Sequence, residues 1–184
     1  MTTATAWMGW IDGVDLVALT APGLAMPNLI LHVARLVHTP VGSAPAGMVL
    51  WQPDPAGAPA VVGFVSPDPK VGAYFGPTVF AGTPFAQAPV LTAGIDIRTG
   101  PGWASSEVTV AGHRFAVRLD GLSAVEAVQR APGPMTPFTQ LGGEAAAARV
   151  AVTIDGVATP VIVPPVGISG GPAAVWAPFG GYLR

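Results

Sequence analysis

The chain contains no cysteine. That absence excludes a disulfide framework, a thiolate nucleophile and any cysteine-ligated metal centre. It suits a reducing compartment, and a cytoplasmic location is the expectation. Charge is nearly as scarce. Charged residues are 10% of the 184 positions, where an average domain carries about 25%. The basic residues are scattered, and the net charge is −2. A nucleic acid therefore has no electrostatic footing here. No run of about 18 apolar residues goes unbroken by Gly, Pro or a polar group, so no membrane-spanning helix is expected. No basic amphipathic stretch suits a membrane surface. The opening residues, 1–7, have neither a basic region nor a long apolar run, so a secretory leader is not expected. Phosphate-cradling and dinucleotide glycine motifs are missing, as is the Gly-x-Ser-x-Gly elbow. No cofactor is expected.

What remains is apolar and heavily punctuated. Apolar residues make up 51% of the chain, and mean hydropathy is +0.55. Glycine (24) and proline (21) are abundant. Disordered chains pair low hydrophobicity with high charge, and this chain does the reverse. Gly and Pro are better read as breaks between short strands. An apolar excess with few charges to cover it predicts association, as a homo-oligomer or with a protein partner.

Three segments carry hairpin signals. Residues 149–163 alternate β-branched residues around Asp155-Gly156, a pair suited to a tight two-residue turn. That turn sets Ile154 opposite Val157, Val152 opposite Thr159 and Val150 opposite Val161, with Pro160 confining its strand to an edge. Residues 107–119 turn at Ala111-Gly112, with Val108, Val110, His113, Phe115, Val117 and Leu119 on one side. Residues 7–19 predict a third turn at Asp12-Gly13, which sets Asp15 opposite Trp10. Between residues 47 and 98, short apolar runs cut by Gly or Pro read as further strands.

Helix is scarce. Ser123-Ala124-Val125-Glu126 matches a capping box and predicts two turns ending before Pro132. Residues 28–38 fit a helical stripe and a strand alternation equally. The expected fold is all-β, one β-rich domain over residues 1–184, built from short hairpins as a coiled barrel or sandwich.

Four residues are candidates for chemistry. Lys70 is the sole lysine and follows Pro67-Asp68-Pro69, a rigid turn. An amine presented into an apolar pocket loses its proton more readily and can form a Schiff base. The adjoining Asp68 works against that. His113 has the side-chain type whose titration lies closest to neutrality. Tyr74 offers a phenol among small neighbours. Asp15 is the carboxylate least explained by a turn or a cap. His32, His38 and His113 show no metal-ligand spacing, and no metal is expected. Trp7, Trp10, Trp51, Trp103, Trp176, Tyr74, Phe75 and Phe80 fill a core or line a pocket.

The leading expectation is a cofactor-free enzyme, such as a lyase, isomerase or cyclase, holding a small apolar molecule in a β-barrel pocket. A structural or assembly subunit and a passive carrier of an apolar ligand are the alternatives.

Overall fold

The computed structural model describes residues 7–184. Its strands are β1 (Trp7–Ala18), β2 (Leu29–Thr39), β3 (Gly42–Trp51), β4 (Val61–Ser66), β5 (Val90–Gly100) and β6 (Trp103–Val110). They continue as β7 (His113–Leu122), β8 (Glu126–Arg130), β9 (Thr139–Ile154), β10 (Val157–Ala158) and β11 (Ala174–Leu183). The sheet runs β9-β11-β1-β2-β3-β4-β5-β6-β7, and β7 returns to β9, so these strands form a ring. The protein is all-β, with one α-helix, α1 (Pro69–Val79), among the described residues.

Ring closure depends on the length of β9. Its first half pairs with β11 and β8, and its second half with β7 and β10. The β4–β5 pair is parallel. Parallel neighbours need a crossover, and α1 lies in that connection. The ring interior is packed by side chains from all nine strands, including Leu16, Leu31, Val65, Phe115 and Leu119, each fully buried. These side chains fill the ring interior, and the pocket against β1, β2 and β11 lies outside it.

The Ala111-Gly112 hairpin forms as expected. Val110 pairs with His113 and Val108 with Phe115. Ala111 takes φ 51° and Gly112 φ 81°, the left-handed pair that a twisted two-residue turn needs. The Asp155-Gly156 turn also forms, with Ile154 opposite Val157. Its second strand is shorter than expected. β10 ends at Ala158, before Pro160, and Val150 pairs with Leu119 on β7 in place of Val161.

The Asp12-Gly13 hairpin does not form. β1 runs straight through, paired with β2 on one side and β11 on the other. Asp12 keeps its turn-like φ of 52°, but as part of a bulge shared by three strands. Between Ala34 and Val37, β2 carries one residue more than β3, and between Trp176 and Phe179, β11 carries one more than β9. β1 stays in register with both. The Asp12 carboxylate ties the row together, accepting from Arg35 Nε at 3.0 Å and from Trp176 Nε1 at 3.3 Å. A bulge re-aims the side chains that follow it. Here Met8 and Trp10, before the bulge, share an outward face with Asp15, after it, and all three border one pocket.

Residues 28–38, read as helix or strand, resolve to strand, with β2 starting at Leu29. The expected helix after Ser123 is a strand as well. β8 continues the line of β7 along β9, and the Ser123 hydroxyl accepts from Ala146 N–H instead of capping a helix. The sheet edge offered by β9 outcompetes two turns of local helix. The actual helix begins where a turn was expected. Asp68 Oδ1 accepts from the N–H groups of Lys70 (2.8 Å) and Val71 (3.4 Å), and Pro69 opens the helix. Gly76 lets α1 lie against the sheet, because a Cβ there would overlap the Phe64 ring.

Among the described residues, one sheet face stays bare. Trp7 pairs with Leu183 and Ile11 with Phe179, while Leu141 lies one strand further on, opposite Gly181. These five side chains are 37% to 56% exposed.

Candidate functional site

A pocket of about 240 Å³ lies on the outward face of β1, β2 and β11. It is roofed by α1, by the 131–138 connection between β8 and β9, and by residues 168–170. Met8, Trp10, Phe75, Phe80, Phe138 and Ile168 supply apolar walls. Asp15, His32, Arg130, Gln140 and Tyr182 also border it.

Strand register brings these polar groups together. Met8, Tyr182, Gln140 and Arg130 are successive partners across β1, β11, β9 and β8. Asp15 and His32 are partners across β1 and β2, beyond the bulge. The Trp10 and Tyr182 rings meet at 5.0 Å, and Phe138 meets Tyr182 edge-on at 6.3 Å. Trp10 can lie flat on β11 because its neighbour there is Gly180; a Cβ at that position would overlap the indole.

His32 Nδ1 is 3.0 Å from Asp15 Oδ1. Beside an ionised carboxylate, Nδ1 carries the hydrogen and donates it. Nε2 is buried without a partner. An unsatisfied buried nitrogen costs about 1–3 kcal/mol, an exception that calls for an explanation. Asp15 is the more open of the two side chains, 29% exposed against 17%.

Arg130 and Glu144 form a two-pronged ion pair, Nη1 to Oε1 at 2.6 Å and Nη2 to Oε2 at 2.8 Å. Gln140 Nε2 donates to the same Oε1 at 3.4 Å. Glu144 is 7% exposed. The Glu144 hydrogen bonds raise the Arg130 guanidinium above its ordinary value, against the opposing effect of burial. The Tyr182 phenol is also pushed up, first by burial and then by the negative charges of Asp15 and Glu144. It keeps its proton, so its hydroxyl is able to donate a hydrogen bond.

Of the four residues singled out in the sequence, Asp15 borders this pocket, opposite His32 and Val175 rather than Trp10. Lys70 is exposed at the start of α1, outside the pocket lining. Tyr74 is half-buried on α1 and packs with the Phe64 cluster, while the adjoining Phe75 reaches the pocket. His113 sits at a hairpin end with Nδ1 2.8 Å from Asp155 Oδ2. The histidines make separate contacts, His38 Nδ1 bonding the Ser43 hydroxyl at 2.8 Å. Among the described residues, no three His, Asp or Glu side chains are grouped to hold a metal ion.

Sequence reasoning missed Arg130, Gln140, Glu144 and Tyr182. The spacing of Gln140 and Glu144, even-numbered on one strand, places both on one face and was the available signal. Compared with family models, with curated proteins and with solved structures, the chain matches none. Among the described residues, no helix is long and apolar enough to cross a membrane.

Proposed function

We propose that the protein is a cofactor-free enzyme that moves a proton on a small, mostly apolar carbonyl compound, in a lyase, isomerase or cyclase type of reaction. The observation that carries this reading is that Asp15, His32 and Tyr182 border one pocket whose walls are mostly apolar. Small-molecule sites have this make-up, apolar walls with a few convergent polar groups.

The roles follow from exposure and charge. Asp15, the open member of its pair, accepts a proton from the carbon next to the carbonyl. The C–H electron pair becomes the new C=C bond, and the carbonyl π pair moves onto oxygen. Tyr182, which keeps its proton, hydrogen-bonds that developing oxyanion. Return of the proton from Asp15 to carbon completes an isomerisation or an exchange. His32 is a positioning residue that fixes the Asp15 carboxylate.

Proton NMR of acetophenone in deuterated buffer tests this directly. The methyl signal should fade with protein present, and Tyr182→Phe should slow the fading at least tenfold. Fading at the buffer rate would reject the enzyme and leave the passive carrier, which holds the same molecule without exchange.

A separate observation favours self-association. The bare row of Trp7, Ile11, Leu141, Phe179 and Leu183 is apolar and contiguous by register, a pattern that marks interfaces. It supports a homo-oligomer and keeps an assembly role as the second reading. Light scattering of wild type and Phe179→Glu tests it. A lower mass for the variant is expected, and a wild-type monomer at micromolar concentration would remove the idea.

A further inference from the structure

We infer that Glu144 makes this pocket select uncharged carbonyl compounds and refuse carboxylates. The inference rests on the proposed reading of the pocket as a small-molecule site. Arginine is the usual receptor for a carboxylate, because its planar fork meets both oxygens at once. Arg130 is the one arginine that borders the pocket. Its two terminal nitrogens are already engaged, one on each Glu144 oxygen, at 2.6 and 2.8 Å.

That engagement is crowded by its neighbours, although the pair also borders a shallow concavity beside β8. Glu144 is buried, and Gln140 holds its Oε1 from the side. Gly171 lies so close over the pair that a Cβ there would overlap Arg130 Nη2. A ligand carboxylate would have to displace Glu144 from both nitrogens to take its place. The pair is electrically closed, so the charge left facing the pocket is the Asp15 carboxylate, with His32 beside it. A bound carboxylate would bury a second negative charge next to the first, without a free cation to offset it. A ketone or aldehyde oxygen needs only a neutral donor, and Tyr182 is one.

Acetophenone and benzoate have nearly the same size and differ in charge, so their binding by calorimetry isolates the effect. Wild type should bind acetophenone at least tenfold more tightly than benzoate. Glu144→Gln keeps the shape and frees the guanidinium, so benzoate affinity should rise at least tenfold. Should that variant fail to fold, the double change Arg130→Met with Glu144→Met removes both charges and should gain no benzoate affinity. Equal binding of the two probes by wild type, binding of neither, an unchanged ratio in Glu144→Gln or a benzoate gain in the double variant would each overturn the inference. The preference without deuterium exchange would sink the enzyme reading alone. Exchange without the preference would sink this inference alone.

Discussion

The protein builds similar ion pairs in two places. In the pocket, Asp15 meets His32 at 3.0 Å and Glu144 meets Arg130 at 2.6 Å. On the β6–β7 hairpin and the turn beside it, Asp155 meets His113 at 2.8 Å and Glu107 meets Arg114 at 2.6 Å. The distances barely differ. The surroundings differ greatly. Asp155 and Glu107 are 48% and 42% exposed, whereas Glu144 is 7% exposed. Water screens the hairpin pairs, and the side chains there spend entropy to stay together. In the pocket, Glu144 has lost nearly all its water and His32 and Arg130 most of theirs, so these groups depend on their partners. The same pairing is therefore screened by water in one setting and largely desolvated in the other, and distance alone does not distinguish them.

The stability of glutamate-to-alanine variants should show the widest gap. Glu144→Ala leaves a largely buried guanidinium unpaired and should cost about 3 kcal/mol in urea unfolding. Glu107→Ala should move the midpoint by no resolvable amount. Equal losses in the two variants would erase the distinction. The histidines sharpen the comparison at the next level. His32→Gln should slow acetophenone deuteration about tenfold through kcat, with KM little changed, since His32 holds the base and not the substrate. His113→Gln should stay within twofold of wild type.

The smallest effect concerns pH. The Arg114 N–H, with His113 second, holds the Asp155 carboxyl below its ordinary value, which is about 3.9 for aspartate. A lowered folded-state pKa contributes stability above the unfolded value and loses it as pH falls through the folded one. The difference in melting temperature between wild type and Asp155→Asn should be constant above about pH 5 and shrink below about pH 4. A difference that stays constant down to about pH 2 would contradict that cause.

The fold was readable where local signals and pairing agreed. Residues 107–119 alternate cleanly around a turn-forming pair, and the hairpin forms in that register. Residues 28–38 carry apolar residues at both spacings, so only the neighbouring strands could decide between helix and strand. Helix α1 was hidden because Gly72, Gly76 and Pro77 resemble a loop. Its stability lies in contact with Phe64, remote from any local pattern. Asp12-Gly13 misled because left-handed backbone serves bulges as well as turns.

The candidate pocket was readable in one polar residue and in Trp10, Phe75 and Phe80, aromatics offered for a core or a pocket that do line it. Asp15 stood out as a carboxylate that no turn or cap required. The other polar groups of the pocket were invisible because Arg130, Gln140 and Tyr182 converge only through the register of β8, β9 and β11. The three-strand bulge brings Asp15 to the face they share. Lys70 drew notice by rarity, and rarity carries no information about placement. Its backbone N–H serves the Asp68 cap, while its side chain faces solvent.

The most direct trial sets the two aspartates side by side. Asp15→Asn and Asp155→Asn each replace one carboxylate with its amide, and deuterium uptake by acetophenone is followed in both. A lost general base costs on the order of a hundredfold or more. Asp15→Asn should fall by that factor, with Asp155→Asn within twofold of wild type. Equal rates in the two variants, or a loss confined to Asp155→Asn, would contradict the assignment of the pocket as the place where the proton moves.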